Sequence, residues 1–221
     1  MPAATAATAF PPPGSAPAAG SDEVDIAIVG SGFSGLAMAY RLRRDGIEDF
    51  VLLEKSTDVG GTWSDNDYPG CACDVPSHVY SFSFAPNPDW STTYSPQAEI
   101  RDYIRDVADR EGLYPHVRFG CEVVESSWSD EAQRWTLETS QGTITARVLI
   151  TAPGPLSAPS IPQLPGLASF TGEVFHSARW NHEYDLRGKR VAVVGTGASA
   201  IQFLPKIQPD VAKIHLFQRT A

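Results

Sequence analysis

The sequence has few cysteines, and they are not spaced as a redox or zinc pair. Its 221 residues include only Cys71, Cys73 and Cys121. An odd count without a C-x-x-C pair argues against a disulfide framework and against a metal site, and it fits a reducing cytoplasm. Clusters of basic residues are also lacking, and the net charge of −9 argues against a nucleic-acid surface. No stretch approaches the ~20 apolar residues that a membrane span needs.

The N-terminal segment, residues 1–22, is dominated by Ala and Pro. It lacks the basic segment followed by a continuous apolar segment that marks a signal peptide. It also contains too little apolar surface to offset the entropy of ordering, so we predict a disordered lead-in over residues 1–22.

A complete β-α-β unit is predicted next. Residues 25–30 (D-I-A-I-V-G) form an apolar run typical of a buried parallel strand. The Gly-rich string G-S-G-F-S-G follows at 30–35, and apolar spacing predicts a helix over 36–44 that ends at Gly46. Residues 50–54 (F-V-L-L-E) read as the second strand.

The middle of the chain is less regular, and then the first pattern returns. An aromatic-rich loop is predicted at 56–98, a helix at 97–112, three strands at 117–128, 133–139 and 143–150, and a Pro- and Gly-rich crossing at 153–166. The repeat comprises a strand at 190–194, the string G-T-G-A-S-A at 195–200, a helix at 199–207 and a strand at 213–218.

This order predicts an α/β protein with two Rossmann-like dinucleotide-binding domains. We place a first dinucleotide-binding domain with a β-meander at residues 23–155 and an interdomain linker at 156–187. The start of an incomplete second dinucleotide-binding domain occupies 188–221, because a mononucleotide-binding half needs a third strand. The sequence is therefore expected to be a fragment that is inactive by itself.

Each Gly-rich turn has a defined chemical use. The first Gly allows a tight bend, the second lets the backbone approach a pyrophosphate, and the third permits close helix–strand packing. Gly30, Gly32 and Gly35 occupy these positions in the first turn, and Ala200 replaces the third Gly in the second turn. Because both turns follow an apolar strand and open a helix, they predict two bound dinucleotides.

The ends of the second strands indicate which dinucleotides bind. Glu54 follows Gly30 at the same sequence interval at which Arg219 follows Gly195. A carboxylate accepts hydrogen bonds from ribose hydroxyls and repels a 2′-phosphate, whereas an arginine attracts that phosphate. The first unit should therefore prefer FAD or NAD, and the second NADP.

Several longer strings resemble class B flavoprotein monooxygenases, in particular the Baeyer–Villiger branch. They are G-G-T-W at 60–63, Y-P-G at 68–70, C-D at 73–74, P-S at 76–77, Y-S-F at 80–82, F-x-G-x3-H-x3-W on Phe170, Gly172, His176 and Trp180, and F-Q-R-T at 217–220. The resemblance extends from about Val24 to the last residue.

The resemblance implies site residues for both cofactors. For FAD it implies Gly30, Gly32, Ser34 and Gly35 at the pyrophosphate, Glu54 at the ribose, Thr62 and Trp63 beside the flavin, Asp74 and Tyr80 near flavin and nicotinamide, and Val123 at the adenine end. For NADPH it implies Gly195, Thr196, Gly197, Ser199, Ala200, Arg219 and Thr220. Asp74 is the candidate catalytic residue, since the family's catalytic arginine would lie beyond residue 221. His176 is expected to position the domain joint with Trp180 rather than to transfer protons.

The implied activity is insertion of one oxygen atom of O2 into a ketone, giving an ester or lactone, with NADPH as reductant. Two positions depart from the family pattern. Asn181 stands where the family usually has Pro or Asp, and Pro153 stands where it usually has Thr or Ser. Three alternatives stay open. The first is an N- or S-oxidising flavin monooxygenase, and the second is a dinucleotide-binding module without turnover. The third is a disulfide reductase, for which the Cys71-x-Cys73 spacing is wrong.

Overall fold

The computed structural model describes residues 23–156 and 158–219. The prediction for residues 1–22 lies outside these ranges. The strands of the described part are β1 (Glu23–Val29), β2 (Phe50–Leu53), β3 (Val117–Arg118), β4 (Val123–Ser129), β5 (Arg134–Thr139), β6 (Gly142–Thr151), β7 (Arg190–Val194) and β8 (Lys213–Phe217). Its α-helices are α1 (Phe33–Arg44), α2 (Thr62–Asp65), α3 (Gln97–Arg110) and α4 (Ala198–Ile207).

Six strands form the main sheet, in the order β3-β2-β1-β6-β5-β4. The pairs β3–β2, β2–β1 and β1–β6 are parallel, whereas β6, β5 and β4 pair antiparallel as a meander. Strands β7 and β8 pair in parallel as a second sheet. The predicted α/β class, with a meander in the first unit and a repeated β-α-β pattern, is confirmed.

Strands β1 and β2 are buried on both faces. Ile26 and Ile28 of β1 pack with the helices, whereas Ala27 packs in a second cluster with the meander. Alternate residues of a strand point to opposite faces, so a strand between two apolar layers must be apolar almost throughout. The sequence I-A-I-V over residues 26–29 meets this requirement.

Helix α1 begins immediately after the first Gly-rich turn. Gly35, Leu36, Ala39 and Leu42 are its buried residues, at spacings that define one helical face. Gly46 has a φ of +78° and its N–H donates to the carbonyl of Arg43 at 3.0 Å. A left-handed glycine at this position ends the helix, as predicted.

The strand predicted at 117–128 is wrong in its extent, because the segment forms two strands. Gly120 has a φ of +64°, and its N–H donates to the Ser56 carbonyl at 3.0 Å. The N–H of Cys121 donates to the Glu54 carbonyl at 2.8 Å. The chain therefore turns over the end of β2, so that β3 pairs with β2 while β4 joins the meander.

Candidate functional site

The first Gly-rich turn is shaped by its neighbours in the fold. Gly30 has a φ of +98°, and a Cβ added there would lie 2.6 Å from the Ala152 carbonyl oxygen. A Cβ on Gly35 would lie 2.0 Å from the Gly30 carbonyl oxygen, which explains the close packing of helix on strand. Gly32 is different: its φ of −76° suits any residue, and its nearest contact would be Gly61 Cα at 3.6 Å.

Glu54 is only 5% exposed and faces this turn directly after β2. Its Oε2 accepts hydrogen bonds from the backbone N–H of Ser31 at 2.8 Å and from the Ser31 hydroxyl at 2.7 Å. Its Oε1 accepts from the N–H of Ser56 at 2.9 Å. A carboxylate offers about four acceptor positions, so one remains beyond these three donors.

A cleft of about 350 Å³ opens at the carboxyl ends of β1 and β2. This edge of a parallel sheet is where α/β proteins bind ligands. The sequence-predicted residues that line it are Gly30, Gly32, Ser34, Glu54, Thr62, Trp63, Tyr80 and Val123. The structure thus brings together eight residues from five separate segments. Of the residues predicted at the FAD end, Gly35 and Asp74 do not line it.

One wall of the cleft is aromatic. The Trp63 Nε1–H donates to the Tyr80 hydroxyl at 3.0 Å, and the two rings meet edge to face at 5.6 Å. Phe33 packs on Tyr80 at 5.0 Å. Burial raises the pKa of Tyr80 above its ordinary value, so its hydroxyl stays protonated at neutral pH. Gln97, at the start of α3, donates from its side chain to the Trp63 carbonyl.

Asp74, the candidate catalytic residue, is exposed on the loop and outside the cleft lining. After burial, the opposing hydrogen bond from Trp63 and the effect of Cys73, Asp74 is the smallest of the causes that raise the pKa of Tyr80. Its assignment stays a prediction.

The second Gly-rich turn repeats the first. The Gly195 N–H donates to the Phe217 carbonyl at 2.9 Å, as the Gly30 N–H donates to the Leu53 carbonyl at 2.9 Å. Gly195 has a φ of +113°, and Gly197 precedes α4 with a φ of −74°. Of the remaining predicted residues, Thr196 and Ser199 are half-buried and Ala200 is buried.

The strand register corrects one detail of the repeat. Leu53 pairs with Val29, so Glu54 is the first residue beyond the paired strands. Phe217 pairs with Val194, so the equivalent residue in the second unit is Gln218, and Arg219 lies one residue further. The second unit therefore lacks a carboxylate at this point and has an exposed arginine next to it. Thr220 lies outside the described residues.

The F-x-G-x3-H-x3-W string lies at the junction of the two units. The centroid of the Trp180 ring lies 5.1 Å from that of Phe175 and 5.2 Å from that of Phe203 in α4. His176 Nδ1 accepts from the Ala178 N–H at 3.1 Å and so caps a single turn. These contacts agree with a positioning role for both residues.

The remaining two residues of this string lie together at the surface. A Cβ on Gly172 would lie 2.5 Å from the Phe170 ring, and Phe170 itself is exposed. A side chain at position 172 would therefore force this ring to move.

The three cysteines lie in the interior of the protein. All three are free and buried, and burial raises the pKa of the Cys71 and Cys73 thiols, which is opposite to the shift of a reactive thiolate. Among the described residues, no cluster of His, Cys, Asp and Glu suits a metal ion. No helix in this part of the chain is long and apolar enough to cross a bilayer.

Sequence reasoning missed the polar contact between the units. Gln202 of α4 hydrogen-bonds to Tyr68 and Ala72 on the long loop. The only sequence signal was a glutamine among apolar residues of a helix, and such a pattern does not identify a partner.

Comparison with known proteins agrees with this geometry. Residues 27–221 match the family described as pyridine nucleotide-disulphide oxidoreductase. A Baeyer–Villiger monooxygenase of Streptomyces coelicolor is 61% identical over 199 residues, which cover 90% of this chain and 38% of that protein. The chain thus spans well under half of this relative.

Solved structures give the same result. A steroid monooxygenase bound to NADP has a TM-score of 0.82 at 41% identity, over 90% of this chain and 39% of that one. The OTEMO complex with FAD and NADP has a TM-score of 0.84 at 34% identity, over 91% and 40%. The resemblance to Baeyer–Villiger monooxygenases is therefore confirmed, and the chain belongs to the pyridine nucleotide-disulphide oxidoreductase family.

Proposed function

We propose that this chain is the FAD-binding and part of the NADPH-binding portion of a monooxygenase that inserts one oxygen atom of O2 into a ketone, giving an ester or lactone. We assign FAD to residues 23–155, a linker to 156–187 and NADPH to the unit that starts at 188. The observation that supports this most is the cleft in which the first Gly-rich turn, buried Glu54 and the Trp63–Tyr80 wall meet.

The residues of the first turn fit an FAD pyrophosphate. Gly32 needs no unusual backbone angle, and a Cβ built there would meet nothing beyond its chain neighbours closer than Gly61 Cα at 3.6 Å, so the fold itself does not require a glycine in this lining of the cleft. Helix α1 has no acidic residue in its first turn, and its free N–H groups and partial positive charge favour phosphate. The remaining acceptor position of Glu54 suits a ribose hydroxyl.

The second turn fits a second dinucleotide. Helix α4 also has no acidic residue in its first turn. Apart from Gly197 and its two neighbours in the chain, no described residue comes within 4 Å of a Cβ built there. The neutral Gln218 followed by Arg219 suits a 2′-phosphate, which a carboxylate in the place of Glu54 would repel.

When bound, FAD supplies the oxygen-activating redox chemistry and NADPH the hydride. The contribution of this chain is placement. Trp63 and Tyr80, joined by their 3.0 Å hydrogen bond, form an apolar wall that excludes water from one side of the cleft. We keep Asp74 as the charge that acts on Tyr80.

Disulfide-reductase chemistry is not supported, in spite of the family's description. That reaction needs two thiols that exchange with each other and with substrate. Cys71 and Cys73 are buried thiols with raised pKa values. Neither lines the cleft.

The test is spectroscopic and then chemical. The purified full polypeptide, of which we propose this chain is a portion, should show bound-flavin absorption that bleaches under anaerobic NADPH, and air with a ketone should then yield an ester or lactone. Flavin that binds without bleaching would instead support a binding module. Oxidation of a matched amine or thioether, with no product from the ketone, would favour the N- or S-oxidising alternative.

Arg219→Ala tests the choice of reductant. Loss of one charge-assisted phosphate contact, about 1.5–3 kcal/mol, should lower the preference for NADPH over NADH by about 10- to 150-fold. Arg190 is exposed and is the first residue of β7, at the end of that strand away from the second Gly-rich turn. Arg190→Ala therefore removes the same charge at a distance from the site and should leave the NADPH-to-NADH ratio unchanged. An unchanged ratio in Arg219→Ala would contradict the assignment of the second site.

A further inference from the structure

Helix α4 is tied to the long loop by one side-chain amide. Gln202 Oε1 accepts from the Tyr68 hydroxyl at 2.8 Å and from the Ala72 N–H at 3.4 Å. Gln202 Nε2 donates to the Ala72 carbonyl at 2.9 Å. A side chain that pairs with both polar groups of one peptide residue fixes the direction of that backbone as well as its distance.

The loop backbone lies directly on the helix at this point. Gly70 has a φ of +81°, and a Cβ there would lie 2.8 Å from the Gln202 carbonyl oxygen and from Lys206 Cγ. The Tyr68 ring meets Phe203 edge to face at 6.2 Å. Burial raises the pKa of Tyr68 to about 12, so its hydroxyl remains a donor to Gln202 at neutral pH.

The same loop segment is fixed to the first cleft on its other side. The Cys73 N–H donates to the Ser95 carbonyl at 3.0 Å, and the Cys71 carbonyl accepts from the Gln97 N–H at 2.9 Å. The side chain of Gln97 donates to the Trp63 carbonyl. Trp63 in turn forms the cleft wall with Tyr80. A continuous set of contacts thus joins Gln202 to the aromatic wall.

Gln202 is also close to the second Gly-rich turn. It lies one helical turn after Ser199, whose side chain hydrogen-bonds to Tyr68 and partly opposes the rise in its pKa. The helix that begins at the second nucleotide site is therefore held, within its first two turns, by the loop that continues to the first site.

We propose that Gln202 is a positioning residue that sets the placement of the second nucleotide site relative to the first. This inference rests on the proposed function. Hydride transfer requires the two reacting atoms to meet at about 3–3.5 Å, and an error of 1 Å can cost about 100-fold in rate. A residue that fixes the two sites relative to each other should affect that rate far more than the affinity for either cofactor.

The test compares Gln202→Leu with Gln208→Leu in the full polypeptide loaded with FAD. Gln208 is an exposed glutamine directly after the same helix, so the second variant makes the same chemical change without the contact. Gln202→Leu should lower the rate constant of anaerobic flavin reduction by NADPH at least ~10-fold, with the Kd values of FAD and NADP+ changed less than ~3-fold. Gln208→Leu should match the parent.

Hydrogen–deuterium exchange provides a readout that does not depend on activity. Loss of a net hydrogen-bond contribution of about 1 kcal/mol should speed exchange in residues 67–73 by about 5-fold in Gln202→Leu. If Gln202→Leu does not fold, Tyr68→Phe removes one of the three bonds and should give a smaller change of the same kind.

The outcomes separate this inference from the proposed function. Parent protein that binds FAD but is not reduced by NADPH would overturn both. A parent that is reduced, with Gln202→Leu or Tyr68→Phe reduced at the same rate and only the melting temperature lowered, would overturn the positioning role alone.

Discussion

Two glycine substitutions can separate the needs of the fold from the needs of a ligand. Gly32 has a φ of −76° and a ψ of −167°, which alanine adopts without strain, and its Cβ would make an ordinary contact of 3.6 Å with Gly61. Gly32→Ala should therefore leave the unfolding free energy unchanged or raise it by about 0.4–1 kcal/mol, through the entropy of the unfolded chain. In a domain of this size that is a rise in Tm of at most about 4 °C.

Binding should respond in the opposite direction. The added methyl group would occupy the space into which a pyrophosphate must fit, at a cost of about 1–3 kcal/mol, so the Kd for FAD should rise about 5- to 150-fold. Thermal unfolding of the apoprotein and titration of FAD fluorescence measure the two effects separately.

Gly197→Ala is the matched control, because Gly197 has a φ of −74° and occupies the same position in the second turn. It should raise the Kd of NADP+ over the same range and leave the Kd of FAD unchanged. If Gly32→Ala binds FAD within twofold of the parent, the backbone does not approach the pyrophosphate at this turn, and the assignment of the first site is wrong.

Three further predictions concern stability and its pH dependence. Gly35→Ala should lower the Tm by about 6–12 °C, since its Cβ would lie 2.0 Å from a carbonyl oxygen and overpacking of this kind costs about 3 kcal/mol; an unchanged Tm would refute the packing argument. Glu54→Gln replaces one acceptor oxygen by a donor and leaves Ser56 or Ser31 without its partner, so the unfolding free energy should fall by about 2 kcal/mol in urea titrations. Midpoints and slopes equal to those of the parent would show that these hydrogen bonds do not stabilise the fold. Burial lowers the pKa of His116, so the unfolded chain binds the proton more readily than the folded one, and the free energy of unfolding should fall as pH decreases below about 6.5. His116→Gln should flatten this pH dependence between pH 7.5 and 5.5, and a slope identical to that of the parent would contradict the argument.

Local patterns were enough to predict the first turn. The apolar strand, the glycine spacing and Glu54 all lie within residues 25–54, and each feature follows from backbone geometry or from the period of a strand or helix. The structure placed these elements in a single cleft because parallel strands end at the same edge of a sheet.

Features that depend on distant segments could not be predicted in the same way. The division of 117–128 into two strands arises because residues 118–121 bond to Glu54 and Ser56 beyond the end of β2, and apolar periodicity does not report a partner in another part of the chain. Equal spacing from the two Gly-rich turns suggested that Glu54 and Arg219 are equivalent, but only the strand register shows that Gln218 takes that place. The contact between Tyr68 and Gln202 joins residues far apart in the sequence, and no local pattern encodes it.

The burial of the three free thiols has a practical consequence. Cys71, Cys73 and Cys121 are at most 8% exposed in the folded protein, so a maleimide should modify them mainly when the chain opens. Counting modified thiols by mass would then measure unfolding directly. A single cysteine introduced at an exposed position could carry a fluorescent label without prior removal of the native ones.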